Sequence, residues 1–171
     1  LNSSEVSAVC GVLMKAQWKA TQTGPQYAAR VGLANSAMRT PTMAQLREAN
    51  SIAREVQKGA KEKLVLHNFN AGRRHKLAWD ELVFVTWADA AHQNRADGSS
   101  TGGFVIGLAP PEILKGAETQ VRLLGWRSRK LDRKVFGSNG AEAQGIYEGE
   151  DKDWKYRLLW SQMHGEHLNR K

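Results

Sequence analysis

The sequence predicts an α+β fold: helices in the amino-terminal third, then an antiparallel sheet of about three strands, then a closing helix. Three observations predict it. Apolar residues in the first 60 positions recur at helical spacing, and from about Leu64 they gather into short runs parted by loops that carry glycine or proline. From Ala141 the helical spacing returns. An apolar fraction of 41% over 171 residues excludes a disordered chain and suffices for one core with a helical extension.

Each element has its own signal. Val6, Val9, Cys10, Leu13, Met14 and Trp18 predict a helix over 5–19, with Ser3 or Ser4 as cap and Cys10 in the core. Gly24-Pro25 interrupts it, and an alanine-rich stretch predicts a second helix over 27–38. Thr40-Pro41-Thr42 opens a third, over 43–61, capped by Thr42, with Leu46, Ala49, Ile52, Ala53 and Val56 on one face. The period then changes, which divides the chain into a helical region, 1–62, and a sheet-bearing region, 63–171.

Residues 63–67 read as a short strand, and 82–87, 103–108 and 120–126 as an antiparallel meander. The last helix runs from Ala141 to Met163 with a break near Gly149, since Gly145 and Gly149 are poor helix formers. Asn139 and Glu142 have capping-box spacing at its start. The acids Glu148, Glu150, Asp151 and Asp153 read as a solvated face, and Trp18, Trp87, Trp154 and Trp160 as packing residues.

Charge and cysteine content bound the function. No apolar run approaches the ~20 residues of a membrane-spanning helix, and Leu1-Asn2-Ser3-Ser4-Glu5 lacks the order of a secretory signal. Without an initiator methionine, the chain reads as a processed form or a fragment. Cys10, the sole cysteine, excludes an internal disulfide and a multi-cysteine zinc site, and fits a reducing, intracellular compartment. The formal charge is +8, concentrated at Arg122, Arg127, Arg129, Lys130, Arg133 and Lys134, with a second group at Arg73, Arg74 and Lys76. Such groups grip a nucleic-acid backbone or an acidic protein surface, or are simply solvated loops. His164-Gly165-Glu166-His167 lacks the spacing of a zinc-protease helix and reads as an exposed tail.

The meander carries four motifs in order: Asp89-Ala90; Ser100-Thr101-Gly102-Gly103-Phe104; Gly125-Trp126-Arg127-Ser128-Arg129-Lys130; and Ala141-Glu142-Ala143-Gln144. In this order they resemble the ribonuclease H region of copia-type retrotransposon polyproteins. The stretch from Gly11-Val12-Leu13-Met14 through Ala20-Thr21-Gln22-Thr23-Gly24-Pro25-Gln26 to the helix after Pro41 resembles the end of that family's reverse transcriptase and its connection to ribonuclease H. The resemblance implies a truncated ribonuclease H-like unit after helices of the reverse-transcriptase connection. It also implies metal-assisted hydrolysis of the RNA strand of an RNA·DNA hybrid, with Asp89 and Glu142 as the first two catalytic acids and ligands of magnesium.

The departures are equally specific. The family's third aspartate comes from a strand after the helix, and a fourth acid lies further on; neither has a counterpart before Lys171. The second glutamate of the helix motif is Gln144, and the family's Thr-Arg-Pro-Asp is Thr23-Gly24-Pro25-Gln26. The missing strand would pair with the first, so residues 82–87 are expected to leave an apolar edge covered by residues 64–66, by another chain, or by a larger protein or ribonucleoprotein assembly. The favoured expectation is a retroelement-derived, non-catalytic subunit of such an assembly, with RNA or hybrid as a further partner. The alternatives are an active ribonuclease H whose other acids lie elsewhere, and a basic protein–protein adaptor. Asp89 also has the plain reading of a residue that ends a strand and caps a loop.

Overall fold

A computed structural model describes residues 1–38 and 41–165. Helix α1 is Ser3–Gln22, α2 is Ala28–Ser36 and α3 is Met43–Lys58. Strands β1 (Val83–Ala91), β2 (Thr101–Ala109) and β3 (Arg122–Lys130) form one sheet, and α4 (Ser138–Met163) follows. The sheet is an antiparallel meander of order β1-β2-β3, so the predicted fold class is the observed one.

The helix starts differ from expectation in chemistry. Asn2, not Ser3 or Ser4, caps α1: its Oδ1 accepts from Glu5 N at 2.9 Å, while Glu5 Oε2 accepts from Asn2 N at 2.8 Å. Each bond satisfies a terminal donor, and the box lets α1 begin two residues earlier than its apolar spacing shows. Thr42 does cap α3, in a box with Gln45; Thr40 lies outside the described residues. Pro25–Tyr27 is a tight 3-10 turn that sets α2 back to Ala28. At Gly59 α3 gives way to another such turn, Gly59–Lys61, where a Cβ would fall 2.0 Å from the Tyr27 hydroxyl. Only glycine lets these two segments approach so closely.

Residues 63–67 form no strand. The segment passes the start of β3 instead, where the Arg122 guanidinium donates to His67 O, and it leaves β1 uncovered. All three strands outlast their apolar runs. The register pairs Asp89 with Gly103 and Gly103 in turn with Ser128, and Ala91 with Thr101 and Thr101 in turn with Lys130, so Asp89 sits inside β1 and residues 127–130 of the basic run are strand rather than loop. Backbone pairing with the long β2 continues where the hydrophobic signal has ended. One extra residue, Leu124, bulges between Gly125 and Leu123.

Helix α4 runs 26 residues without a break. It begins at Ser138 after a Gly137 cap that contributes no side chain, which puts Asn139 inside the first turn and leaves the Asn139–Glu142 capping box unformed. Ala141, Gly145, Gly149 and Asp153 recur every fourth residue and are buried. The two glycines lie against β1, where a Cβ on Gly145 would fall 3.2 Å from Asp89 O and one on Gly149 would fall 3.1 Å from Ala88 Cβ. The glycines therefore seat the helix on the sheet.

Two cores result. Val9, Leu13, Ala16, Val31 and Ile52 join α1, α2 and α3, and Phe104, Ile106, Leu108, Leu131 and Ala141 lie between sheet and α4. Trp126 links the layers: its ring packs on the helical core and its Nε1 donates to Ala20 O at 2.7 Å. Cys10 is only half-buried. Trp18 is exposed and Trp87 half exposed, so neither is the packing residue expected, whereas Trp160 meets Phe84 edge-on at 6.2 Å.

Candidate functional site

Alternation along β1 decides what Asp89 can meet. Thr86, Ala88 and Ala90 face α4, since Gly149 and Gly145 lie against them. Side chains at Trp87, Asp89 and Ala91 therefore emerge on the opposite face. There α2 packs across β3, with Gly32 close to Ser128 O, and leaves a groove of about 550 Å3. Its walls include Ala28, Ala29 and Leu33 of α2 on one side and Trp87 and Asp89 on the other.

Asp89 is exposed, and its Oδ1 accepts from Ala90 N at 2.8 Å. Glu142 is also exposed, in the first turns of α4 on the other face of the sheet, beside the buried Ala141. No hydrogen bond or ion pair joins the two acids, and among the described residues no three His, Cys, Asp or Glu side chains converge as a metal site. The donor set does not fit the paired magnesium ions implied by the resemblance, which need clustered oxygen ligands.

Of the four acids read as a solvated face, Glu150 and Asp151 are exposed, whereas Glu148 and Asp153 have work inside the fold. Asp153 is buried, accepts from Thr86 Oγ1 at 2.9 Å and lies 2.8 Å from Arg157 Nε. Glu148 accepts from Arg129 Nε at 3.1 Å. His164 stacks on Trp79 at 4.3 Å, a packing role; Glu166 and His167 lie outside the described residues.

The basic residues divide in the same way. Arg73 pairs with Glu112 at 2.6 Å, Lys130 with Asp97 at 2.6 Å, and Arg129 with both Asp132 and Glu148. Arg122 lies over the Phe69 ring at 4.9 Å. Lys130 and Ser99 hold the Asp97 carboxyl far below the usual carboxylate range, and Asp132, then Glu148, raise the Arg129 guanidinium. These four cations are bound within the chain, whereas Arg74, Arg127, Arg133 and Lys134 are exposed. Arg127 points to the α4 side, near Lys152, whose ammonium is pushed down chiefly by Lys155.

No family model, curated protein or solved structure matches the chain. The site therefore rests on its own geometry. Sequence reasoning found Asp89 but missed the groove around it, because Ala28, Ala29 and Leu33 are far away in the chain and carry no chemical signature. The available signal was the alternation that sets Trp87 beside Asp89 on one face.

Proposed function

We propose that this chain is a retroelement-derived, ribonuclease H-like protein that acts as a binding or structural subunit of a larger assembly, and not as a nuclease by itself. The observation that carries the reading is the placement of Asp89. Its carboxylate faces the groove beneath α2, beside a half-exposed tryptophan, and among the described residues is not gathered with Glu142 and further acids around a common point. A phosphodiester cannot be placed between two metal ions where the ligands do not converge.

The open side of β1 supports a partner. Among the described residues β1 pairs only with β2, and its outer edge, from Val83 to Ala91, carries no lysine or proline to discourage pairing. The exposed Arg74, Arg127, Arg133 and Lys134 suit an RNA or hybrid backbone as a second, salt-sensitive contact. No helix among the described residues is long and apolar enough to cross a membrane.

The test is cleavage of a labelled RNA·DNA hybrid with magnesium or manganese, run beside a binding titration at low and high salt. Binding that weakens with salt, without turnover, is the expected result. Turnover abolished by Asp89→Asn would overturn the proposal.

A further inference from the structure

The groove has a chemical character that neither the ribonuclease H resemblance nor the surface charge explains. Among the described residues Asp89 makes no ion pair, although the chain holds 25 Lys and Arg against 17 Asp and Glu and pairs Asp97, Glu112, Asp132 and Glu148 internally. Its one hydrogen bond, from Ala90 N, leaves most of the carboxylate's acceptor capacity open. Two residues away on the same face, Trp87 is 50% exposed. Gly103, opposite Asp89 in β2, puts no side chain on the floor between them.

We infer that an extended segment of a partner protein docks along the free edge of β1 and lays an arginine side chain in this groove, between the Trp87 indole and the Asp89 carboxylate. Successive same-face positions on a strand are about 6.6 Å apart, so one planar guanidinium can stack on the indole and direct its fork to the acid. Arginine suits both contacts better than lysine, whose compact ammonium makes one or the other. Ala28, Ala29 and Leu33 offer short aliphatic walls to the side chain's stem.

The edge supplies the second half of recognition. A strand added to β1 would bond to its unpaired N–H and C=O groups and would bring alternate side chains within about 5 Å of Trp87 or Asp89. A phosphate backbone suits the groove poorly, because Asp89 would repel it and Arg127, the exposed cation at its border, points to the α4 side of the sheet. The inference rests on the groove and the edge, not on descent from a retroelement, so it survives or fails independently of the cleavage assay.

The probe is the blocked peptide acetyl-TVTRTVT-amide, with citrulline in place of arginine as its neutral isostere, titrated into the full chain while the Trp87 indole N–H is followed by NMR. The arginine peptide should shift that signal and bind about tenfold more tightly than the citrulline peptide, the ratio expected of one charge-assisted contact. Asp89→Asn should abolish the difference between the peptides, and Trp87→Ala, followed by titration calorimetry because it lacks the reporter indole, should weaken the arginine peptide several-fold. Both residues lie at the surface, and an unchanged far-ultraviolet circular dichroism spectrum checks that the variants fold. Equal binding of the two peptides, or no binding, would overturn the inference. So would a Trp87 shift produced by single-stranded RNA, or by raising the protein concentration alone, because a base or a second copy would then occupy the groove.

Discussion

Replacing Gly149 by alanine separates two accounts of α4 by the sign of the effect. Were Gly149 a weak point in a solvated helix, alanine would stabilise the protein by about 1 kcal/mol through helix propensity. The structure puts the new Cβ 3.1 Å from Ala88 Cβ and 3.3 Å from Thr86 Cγ2, about half an ångström inside ordinary carbon–carbon contact. Ala88 Cβ is fixed by its strand and cannot rotate away, so α4 must lift and loosen its hold on Phe104. Overpacking of this kind costs about 1–3 kcal/mol, which at least cancels the propensity gain and leaves a net loss of up to about 2 kcal/mol. Gly11 provides the control: it is helical, in α1, and a Cβ there meets nothing within 4 Å, so Gly11→Ala should stabilise by about 1 kcal/mol. Urea unfolding followed by tryptophan fluorescence should move the Gly149→Ala midpoint down, by up to ~1 M, and the Gly11→Ala midpoint up. If both variants are stabilised alike, the seating of α4 on β1 is wrong.

Three further substitutions probe the packing and its charges. Trp126→Phe removes the donor to Ala20 O and part of the ring between helices and sheet, and should cost about 1–3 kcal/mol by urea unfolding; a loss below ~0.5 kcal/mol would deny the link. Asp153→Ala removes the acceptor of Thr86 and the counter-ion of Arg157, and should cost about 2–3 kcal/mol, held down because Arg157 is partly exposed and can regain water. An unchanged unfolding midpoint would return Asp153 to the solvated face. The Arg30 guanidinium holds the Glu48 carboxyl below its ordinary value. A lowered folded-state pKa means the stabilisation is full above the unfolded value, about 4.3, and is lost as pH falls through the folded one. Melting temperature should therefore fall more steeply below about pH 5 in the parent chain than in Glu48→Gln, by a margin within ~1 kcal/mol because both partners are nearly half exposed; parallel curves would show that the pair contributes nothing.

Much of the architecture was legible because periodicity reports burial. The spacing of Val9, Leu13 and Ile52, and the three apolar runs around Phe84, Ile106 and Leu123, mark surfaces that must leave water, and they placed every major helix and strand. What they could not mark was pairing without burial. Asp89 and Arg129 are held in strands by the backbone of β2, which no side chain announces. Gly145 and Gly149 misled for a related reason: propensity describes an isolated helix, whereas their role is set by a sheet distant in sequence. Charge was legible in amount and not in use, since Arg73, Arg122, Arg129 and Lys130 spend their donors inside the chain. At the site, the motif order singled out Asp89 and Glu142, but only the strand's alternation against α4 shows which face each one serves.

The central claim is that Asp89 belongs to a binding groove and not to a nuclease centre. Cleavage of a labelled RNA·DNA hybrid in magnesium or manganese, compared between the parent chain and Asp89→Asn, tests it most directly. The account predicts no turnover above background and no difference between the two proteins. Metal-dependent cleavage that disappears in Asp89→Asn would contradict it.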